Sequence, residues 1–324
     1  MHKLKELLSR HYGLSARQIT PRQGGWSALA YQVETEEGLT FLKMYEKSRA
    51  STPKWTALID QYVPLLLRLH QYSSLQGKLP VPLLTVDGRC KCENDDGIFL
   101  LYEHIDGETI GSKSLTDAQI VQLADIMAEL HSYDEVFVLD TLEQSILPLK
   151  ENFELPFLPS LYRAINELSP SIADAGNIHE VLAPFKEPLI ALMDSVQTLS
   201  QRLRQRSLRY VLCHTDLHHW NLMSSDGQLI LIDWEGIRIA PVEADWMFIV
   251  DKPYYEDFLT VYRKRHPSFV PDPECLSFYQ GRRRLEDIWE FTEQLLYDTQ
   301  DAEEQADALS SLRKELQQLP LNPR

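Results

Sequence analysis

The segment "VLCHTDLHHWNLM" (residues 211–223) gathers His214, Asp216, His218 and Asn221, and Asp233 follows in "LILIDWEG" (residues 229–236). Histidines, carboxylates and an amide at such spacing suit a metal site, a hydrolytic centre or a loop that moves a phosphate. A zinc-protease helix would need HExxH, with both rings on one helix face and a glutamate beside the first histidine. Here Thr215 follows His214, and the segment continues from a β-like run. A nucleophilic triad would need a nucleophile on an elbow such as GxSxG, which the chain lacks, and Cys213 ends an apolar run that predicts burial. Phosphoryl transfer uses more of the residues. It needs a group to orient and deprotonate the attacking hydroxyl, and oxygen ligands for magnesium on a triphosphate. In the pattern HxDxxxxN, Asp216 suits the base, while Asn221 and Asp233 suit a hard cation that prefers oxygen donors and keeps several waters.

These residues must be held by neighbouring elements. Two short β-like runs, "LRYVLC" and "QLILID", bracket the loop. Upstream, "ALAYQVET" and "LTFLKMYE", separated by "EEG", read as a hairpin. A helix is predicted over Ala57 to Tyr72, then two more strand segments in "PLLTVDGRCKCE" and "GIFLLYEHI", which complete a small antiparallel sheet ending near Ile105. From "TDAQIVQLADIMAELHSY" onward apolar residues recur at helical spacing, through the stretch from Pro273 to Asp298, and the region around 147–170 reads as a connection or insertion. "GGWSA" (24–28) lies between two β-runs, where backbone N–H groups and the Ser27 hydroxyl would meet phosphate oxygens.

At this level the chain resembles the aminoglycoside phosphotransferases and their choline-kinase-like relatives. "CHTDLHHWNLM" is similar to their catalytic loop and "LIDWEG" to their metal-binding turn. "HYGL", "QGGWSALAYQV", "IDWEGIRIAPVEADWMFI" and "FYQGRRRLEDIWEFTEQLL" most resemble the spectinomycin (aminoglycoside 9-) phosphotransferase type. The resemblance implies an α+β, bilobal protein-kinase-like fold. Residues 1–105 would form an antiparallel-sheet nucleotide-binding lobe with the hinge, and residues 106–324 a mostly helical lobe with the catalytic loop and acceptor site. It also implies ATP and Mg2+ as cofactors. Lys43 in "TFLKMYE" corresponds to the lysine over the α- and β-phosphates, and Asp60 falls where the family's helix glutamate pairs with that lysine. Aspartate is one methylene shorter, a departure from the pattern. In "LLYEHIDG" the backbone carbonyl of Glu103 and N–H of Ile105 would bond the adenine edge, while His214 and Asp245 would support the catalytic loop.

The acceptor is the open part of this reading. Glu286, Asp287 and Glu290 in "RRRLEDIWEF" would cluster on one helix and suit a cationic amino-cyclitol, or would simply pair with the adjacent arginines. Choline, homoserine, a sugar, a nucleoside or a macrolide are alternative acceptors, and a nucleotide-binding interaction module without turnover is the alternative of another class. With 32 basic and 48 acidic residues the formal charge is −16, which disfavours nucleic acid and anionic membranes as partners despite the "RRR" run. No apolar run is long enough to cross a bilayer and "MHKLKELLSRHYGL" has no signal-peptide core, so a cytoplasmic protein is expected. Four scattered cysteines do not make a disulfide framework.

Overall fold

The computed structural model describes residues 1–22, 24–25, 27–142, 148–167 and 175–319. Trp26 of the glycine-rich loop and part of the connection expected at 147–170 therefore lie outside the described residues. The described chain forms two compact units. One comprises Met1–Lys47, Thr52–Glu151 and Arg209–Val270; the other comprises Ser48–Ser51, Asn152–Leu208 and Pro271–Arg324.

The first unit holds an antiparallel sheet of six strands, in which Gln18–Arg22, Leu29–Glu34, Leu39–Glu46 and Gly97–Glu103 lie side by side, with Pro82–Leu83 and Cys92–Glu93 on the last of these. The expected hairpin is the pair Leu29–Glu34 and Leu39–Glu46, in register from Leu29 opposite Met44 to Glu34 opposite Leu39. Side chains alternate across a strand, and here the alternation divides labour. Leu42 is buried in an apolar cluster with Leu4, Leu7 and Leu8 of the helix His2–Tyr12, with Met44 packed against it. Lys43 and Tyr45 point to the opposite face. Gly13 ends the His2–Tyr12 helix at φ 69°, a left-handed position where glycine has no Cβ penalty, and its N–H bonds the carbonyl of Ser9.

The helix Ile59–Tyr72 matches the predicted one and carries an apolar stripe, with Ile59, Tyr62, Val63, Leu66 and Leu69 all buried. The helix Asp117–Leu130 starts at a capping box, in which Thr116 and Gln119 satisfy each other's backbone N–H groups, and it delivers His131 at its end. Two further small sheets carry the motif region. Val211–Cys213 pairs with Arg238–Ala240, and Leu222–Ser225 pairs with both Gln228–Leu231 and Glu108–Thr109. Both bracketing β-runs are thus strands, and the catalytic-loop segment leaves the first of them and runs into Leu222–Ser225, which forms a hairpin with the second.

The second unit is helical among its described residues, with Leu158–Glu167, Ala175–Leu182, Lys186–Leu203, Pro273–Tyr297 and Ala302–Gln317. The helix Leu158–Glu167 occupies much of the stretch read as a connection, and the expected helix from Pro273 is found. Lys186–Leu203 and Pro273–Tyr297 approach closely at Gly281, where a Cβ would fall 2.6 Å from Val196 Cγ2. Val196 is β-branched and stiff, so the clash is not relieved by a rotamer change. Overpacking costs about 1–3 kcal/mol, against roughly 1 kcal/mol that alanine gains over glycine in a helix. Gly281→Ala is therefore expected to lower the melting temperature by a few degrees, and Val196→Ala in the same chain to restore part of the loss. A melting temperature that rises in the single variant would show that the helices have room to spare.

Candidate active site

The catalytic-loop segment starts where the strand Val211–Cys213 ends, and three N–H groups converge there on one carboxylate. Asp245 accepts from His214 N at 2.9 Å, from Thr215 N at 2.5 Å and from His131 Nε2 at 3.0 Å. His131 and Asp245 are fully buried, and the Tyr262 hydroxyl sits 2.9 Å from His131 Nδ1. A carboxylate donating to nothing and accepting three bonds is well satisfied inside the protein. Cys213 is also near: the ligand atoms of His131, Cys213 and Asp245 lie within 4.8 Å of one another. Burial pushes the Cys213 thiol well up, away from the thiolate a metal would need. His131 and Asp245 form a hydrogen-bonded brace, while the Cys213 thiol faces the carbonyls of Val211, Ala240 and Pro241 at 3.6 Å.

His214 fastens the loop from the other side. Its Nδ1 accepts the Asp216 N–H at 3.2 Å, so Nε2 carries the proton and donates to the carbonyl of Ile232 at 2.9 Å. Its ring packs edge-on to Trp234, with centroids 4.7 Å apart. One side chain therefore ties the residue before Asp233 to the backbone of Asp216. Thr215 takes φ 69° and donates its hydroxyl to the carbonyl of Gly236 at 2.7 Å. Asp233 itself takes φ 62°. Left-handed backbone at a non-glycine residue costs energy and persists only where surrounding bonds impose it; here the bonds are those of Asp245, His214 and Gly236.

Asn221 donates its amide hydrogens to the carbonyl and to Oδ2 of Asp216, at 2.8 and 2.9 Å. Its backbone carbonyl accepts from Ile232 N at 2.9 Å, which sets it beside the residue preceding Asp233. His218 Nε2 lies 3.4 Å from Asp216 Oδ1. With its NH2 group committed to Asp216, Asn221 has its oxygen Oδ1 to offer an ion, and Asp233 has a carboxylate. This hard-oxygen donor set fits Mg2+.

Lys43 reaches across from the sheet. Its ammonium contacts Asp233 Oδ1 at 3.0 Å and Glu235 Oε1 at 2.5 Å, and Tyr45 donates its hydroxyl to the same Glu235 oxygen. Burial alone would lower the Lys43 ammonium, but Asp233 and then Glu235 outweigh it and hold it well above its ordinary value. It stays charged. Burial, reinforced by Glu235, pushes the Tyr45 and Tyr102 phenols up, so both stay neutral.

Of the residues predicted from sequence, Lys43, Asp233, His214, Asp216, Asn221 and Asp245 form one bonded network. Asp60 does not join it. It follows Ile59 directly on the helix, about 100° around from the buried stripe, and its half-exposed carboxylate pairs with Lys91 at 2.8 Å. The expected Lys43–Asp60 pair is replaced by Lys43–Glu235. Ser27 lies between the strands ending at Arg22 and starting at Leu29, where Gly24 approaches the chain so closely that a Cβ would sit 2.6 Å from the carbonyl oxygen of Ala28. Glu103 closes its strand, with Ile105 two residues beyond. In the helical unit, Glu286 pairs with Arg282 at 3.0 Å and Asp287 with Arg283 at 2.9 Å, the plain alternative to an acceptor site. Burial lifts the Asp287 carboxyl to about 6 despite Arg283. Glu290 lies one turn after Glu286 on the same helix.

The sequence reading missed Glu235, Tyr45 and His131. Alternation on the Lys43 strand could have found Tyr45; nothing local marks the other two. Trp220 was missed as well. It is 64% exposed, unusual for tryptophan, and its ring lies against Gly111, whose Cβ would be 3.0 Å from it. Beside it His219 stacks on Tyr254, with ring planes 18° apart, and bonds its hydroxyl at 3.0 Å. Burial, then Lys252, holds the His219 ring below its ordinary pKa.

Known proteins resemble this chain along most of its length. Protein StrN of Streptomyces griseus is 24% identical over 274 residues, which cover 78% of this chain and 78% of StrN. Among solved structures, the spectinomycin phosphotransferase APH(9)-Ia, in complex with ADP and spectinomycin, aligns with a TM-score of 0.71 at 22% identity, covering 99% of this chain and 95% of that one. The macrolide 2'-phosphotransferase MphH from Brachybacterium faecium aligns with a TM-score of 0.57 at 14% identity, covering 96% and 98%. The expected α+β protein-kinase-like fold is therefore the observed one, with an antiparallel-sheet N-terminal region and a mostly helical C-terminal region. Residues 18–279 match the model of the phosphotransferase enzyme family, and this chain belongs to that family.

Proposed function

We propose that the protein transfers the terminal phosphoryl group of ATP to a hydroxyl of a small molecule, and that the acceptor is an aminoglycoside or aminocyclitol such as spectinomycin. The observation that carries the phosphotransferase reading is the network joining Asp216, Asn221, Asp233 and Lys43 through bonds of 2.8 to 3.0 Å and the backbone link from Ile232 to Asn221. The spectinomycin reading draws on the likeness to APH(9)-Ia and on the chain's charge of −16, which favours a cationic acceptor over an anionic one. Residues 1–105 would hold the nucleotide and residues 106–324 the loop and acceptor.

In this mechanism Asp216 accepts the proton of the attacking hydroxyl. Its carboxylate is oriented by the Asn221 amide, and its backbone by His214. Asn221 Oδ1 and the Asp233 carboxylate would hold Mg2+, which supplies charge neutralisation for the phosphates when bound. Lys43 offers its ammonium to phosphate oxygens, the Ser27 hydroxyl and neighbouring N–H groups cover them, and the backbone at Glu103 and Ile105 meets the adenine edge. Such positioning and electrostatics are most of what phosphoryl transfer asks of a protein. No described helix is long and apolar enough to cross a membrane.

ADP release screened against spectinomycin, other aminoglycosides, a macrolide, choline, homoserine and sugars identifies the acceptor. Turnover is expected with an aminocyclitol; turnover of another alcohol alone would reassign the substrate while keeping the reaction. With the acceptor that emerges, Asp216→Ala is expected to lose kcat by about 10²–10⁴, the usual contribution of a positioned base, while binding ATP normally. An undiminished kcat would remove Asp216 from that role. Asp233→Ala should abolish turnover at ordinary magnesium, and normal metal-dependent turnover would contradict the ligand assignment. Trp220 stands four residues after Asp216 and is 64% exposed, an aromatic surface suited to lie against a saturated ring. Trp220→Ala should raise the acceptor KM roughly tenfold, a loss of ~1.4 kcal/mol, and leave the KM for ATP unchanged.

A further inference from the structure

We infer that Glu235, seated by Tyr45, is the residue that positions Lys43 for nucleotide phosphates, taking over the work that a helix-borne acid performs in kinases of this fold. The inference rests on the phosphotransferase reading and assigns a carboxylate which that reading leaves unused.

Three observations carry it. First, the pair is buried on both sides: the Lys43 side chain is 10% exposed and that of Glu235 6%, with Nζ to Oε1 at 2.5 Å. Asp233, the other partner of Lys43, is 44% exposed in its side chain and has an ion to serve. Once Asp233 turns to a cation, Glu235 is the anion that remains against the ammonium. Second, Glu235 has its own support. Tyr45 lies two residues from Lys43 on the same face of the strand and donates its hydroxyl to the oxygen that Lys43 contacts. Third, the helix Ile59–Tyr72 packs on the turn Trp234–Gly236 but presents Tyr62 on its buried face, while its acid, Asp60, is diverted to Lys91.

In the common kinase arrangement the lysine partner sits on a mobile helix, and moving that helix assembles or breaks the site. Here the partner is two residues from Asp233 on the same turn. The ammonium and the metal-binding carboxylate are located by one piece of backbone, and the position of the helix no longer decides whether Lys43 is aimed.

The test is calorimetric titration of the full-length protein with ATP, ADP and adenosine, each with magnesium and again in EDTA. Glu235→Gln is expected to weaken ATP and ADP at least tenfold in both conditions and to leave adenosine within twofold, because only the phosphates meet Lys43. Equal weakening of all three ligands by a Glu235→Gln variant that keeps its fold would overturn the assignment. Tyr45→Phe keeps the ring and should weaken ATP severalfold, which holds the proposal open to test if Glu235→Gln fails to fold; unchanged ATP affinity in that variant would count against it. Asp60→Asn should bind ATP as the unaltered protein does, and a tenfold loss there with none in Glu235→Gln would restore the helix acid. If Glu235→Gln loses affinity with magnesium but not in EDTA, the carboxylate serves the ion and the inference falls. Should the unaltered protein bind adenosine and ATP equally weakly, the phosphotransferase reading itself fails.

Discussion

The site depends on one buried carboxylate. Asp245 accepts bonds from two successive backbone N–H groups, those of His214 and Thr215, and from the ring of His131. A backbone donor left unpaired inside the protein costs about 1–3 kcal/mol, and the two at this corner have no strand partner because the chain is turning out of Val211–Cys213. Asp245 makes the turn affordable, and the turn in turn aims Asp216. The bracing group is itself buried. Its effect passes through geometry alone, by way of the left-handed Thr215 and the imidazole of His214.

Much of this was legible in the sequence because its parts are local. Asp216 and Asn221 lie within one loop, Asp233 follows one short hairpin later, and the loop leaves a strand and enters another, in line with the β-like runs around it. Lys43 was legible through the resemblance of its strand "TFLKMYE" to the family's lysine-bearing strand. Its partner was not. Asp60 looked suitable by alignment of a helix, but a helix position implies an azimuth, and one residue's displacement from the buried stripe turned its carboxylate outward to Lys91. Glu235 stood in plain view within "LIDWEG", yet pairing it with Lys43 requires knowing that residues 192 positions apart meet. His131 was hidden for the same reason, as 114 positions separate it from Asp245.

The acidic residues of "RRRLEDIWEF" teach a related lesson. Helical spacing put Glu286 and Glu290 on one face, which was correct, but the same spacing put Arg282 and Arg283 one turn before Glu286 and Asp287. Pairs at i and i+4 satisfy each other within the helix, so periodicity counted the charges without showing that they were already spoken for. The raised Asp287 carboxyl follows from burial and marks a structural environment.

The strand Leu39–Glu46 carries a further consequence. Its even-numbered Leu42 and Met44 belong to the apolar cluster under the N-terminal helix, and its odd-numbered Lys43 and Tyr45 to the charged network. Inserting or deleting a single residue ahead of them would exchange the two sets, sending an ammonium into hydrocarbon and leucine toward Asp233 and Glu235. The apolar cluster and the charged network are therefore coupled along this segment: shifting this ribbon by one step would lose both at once.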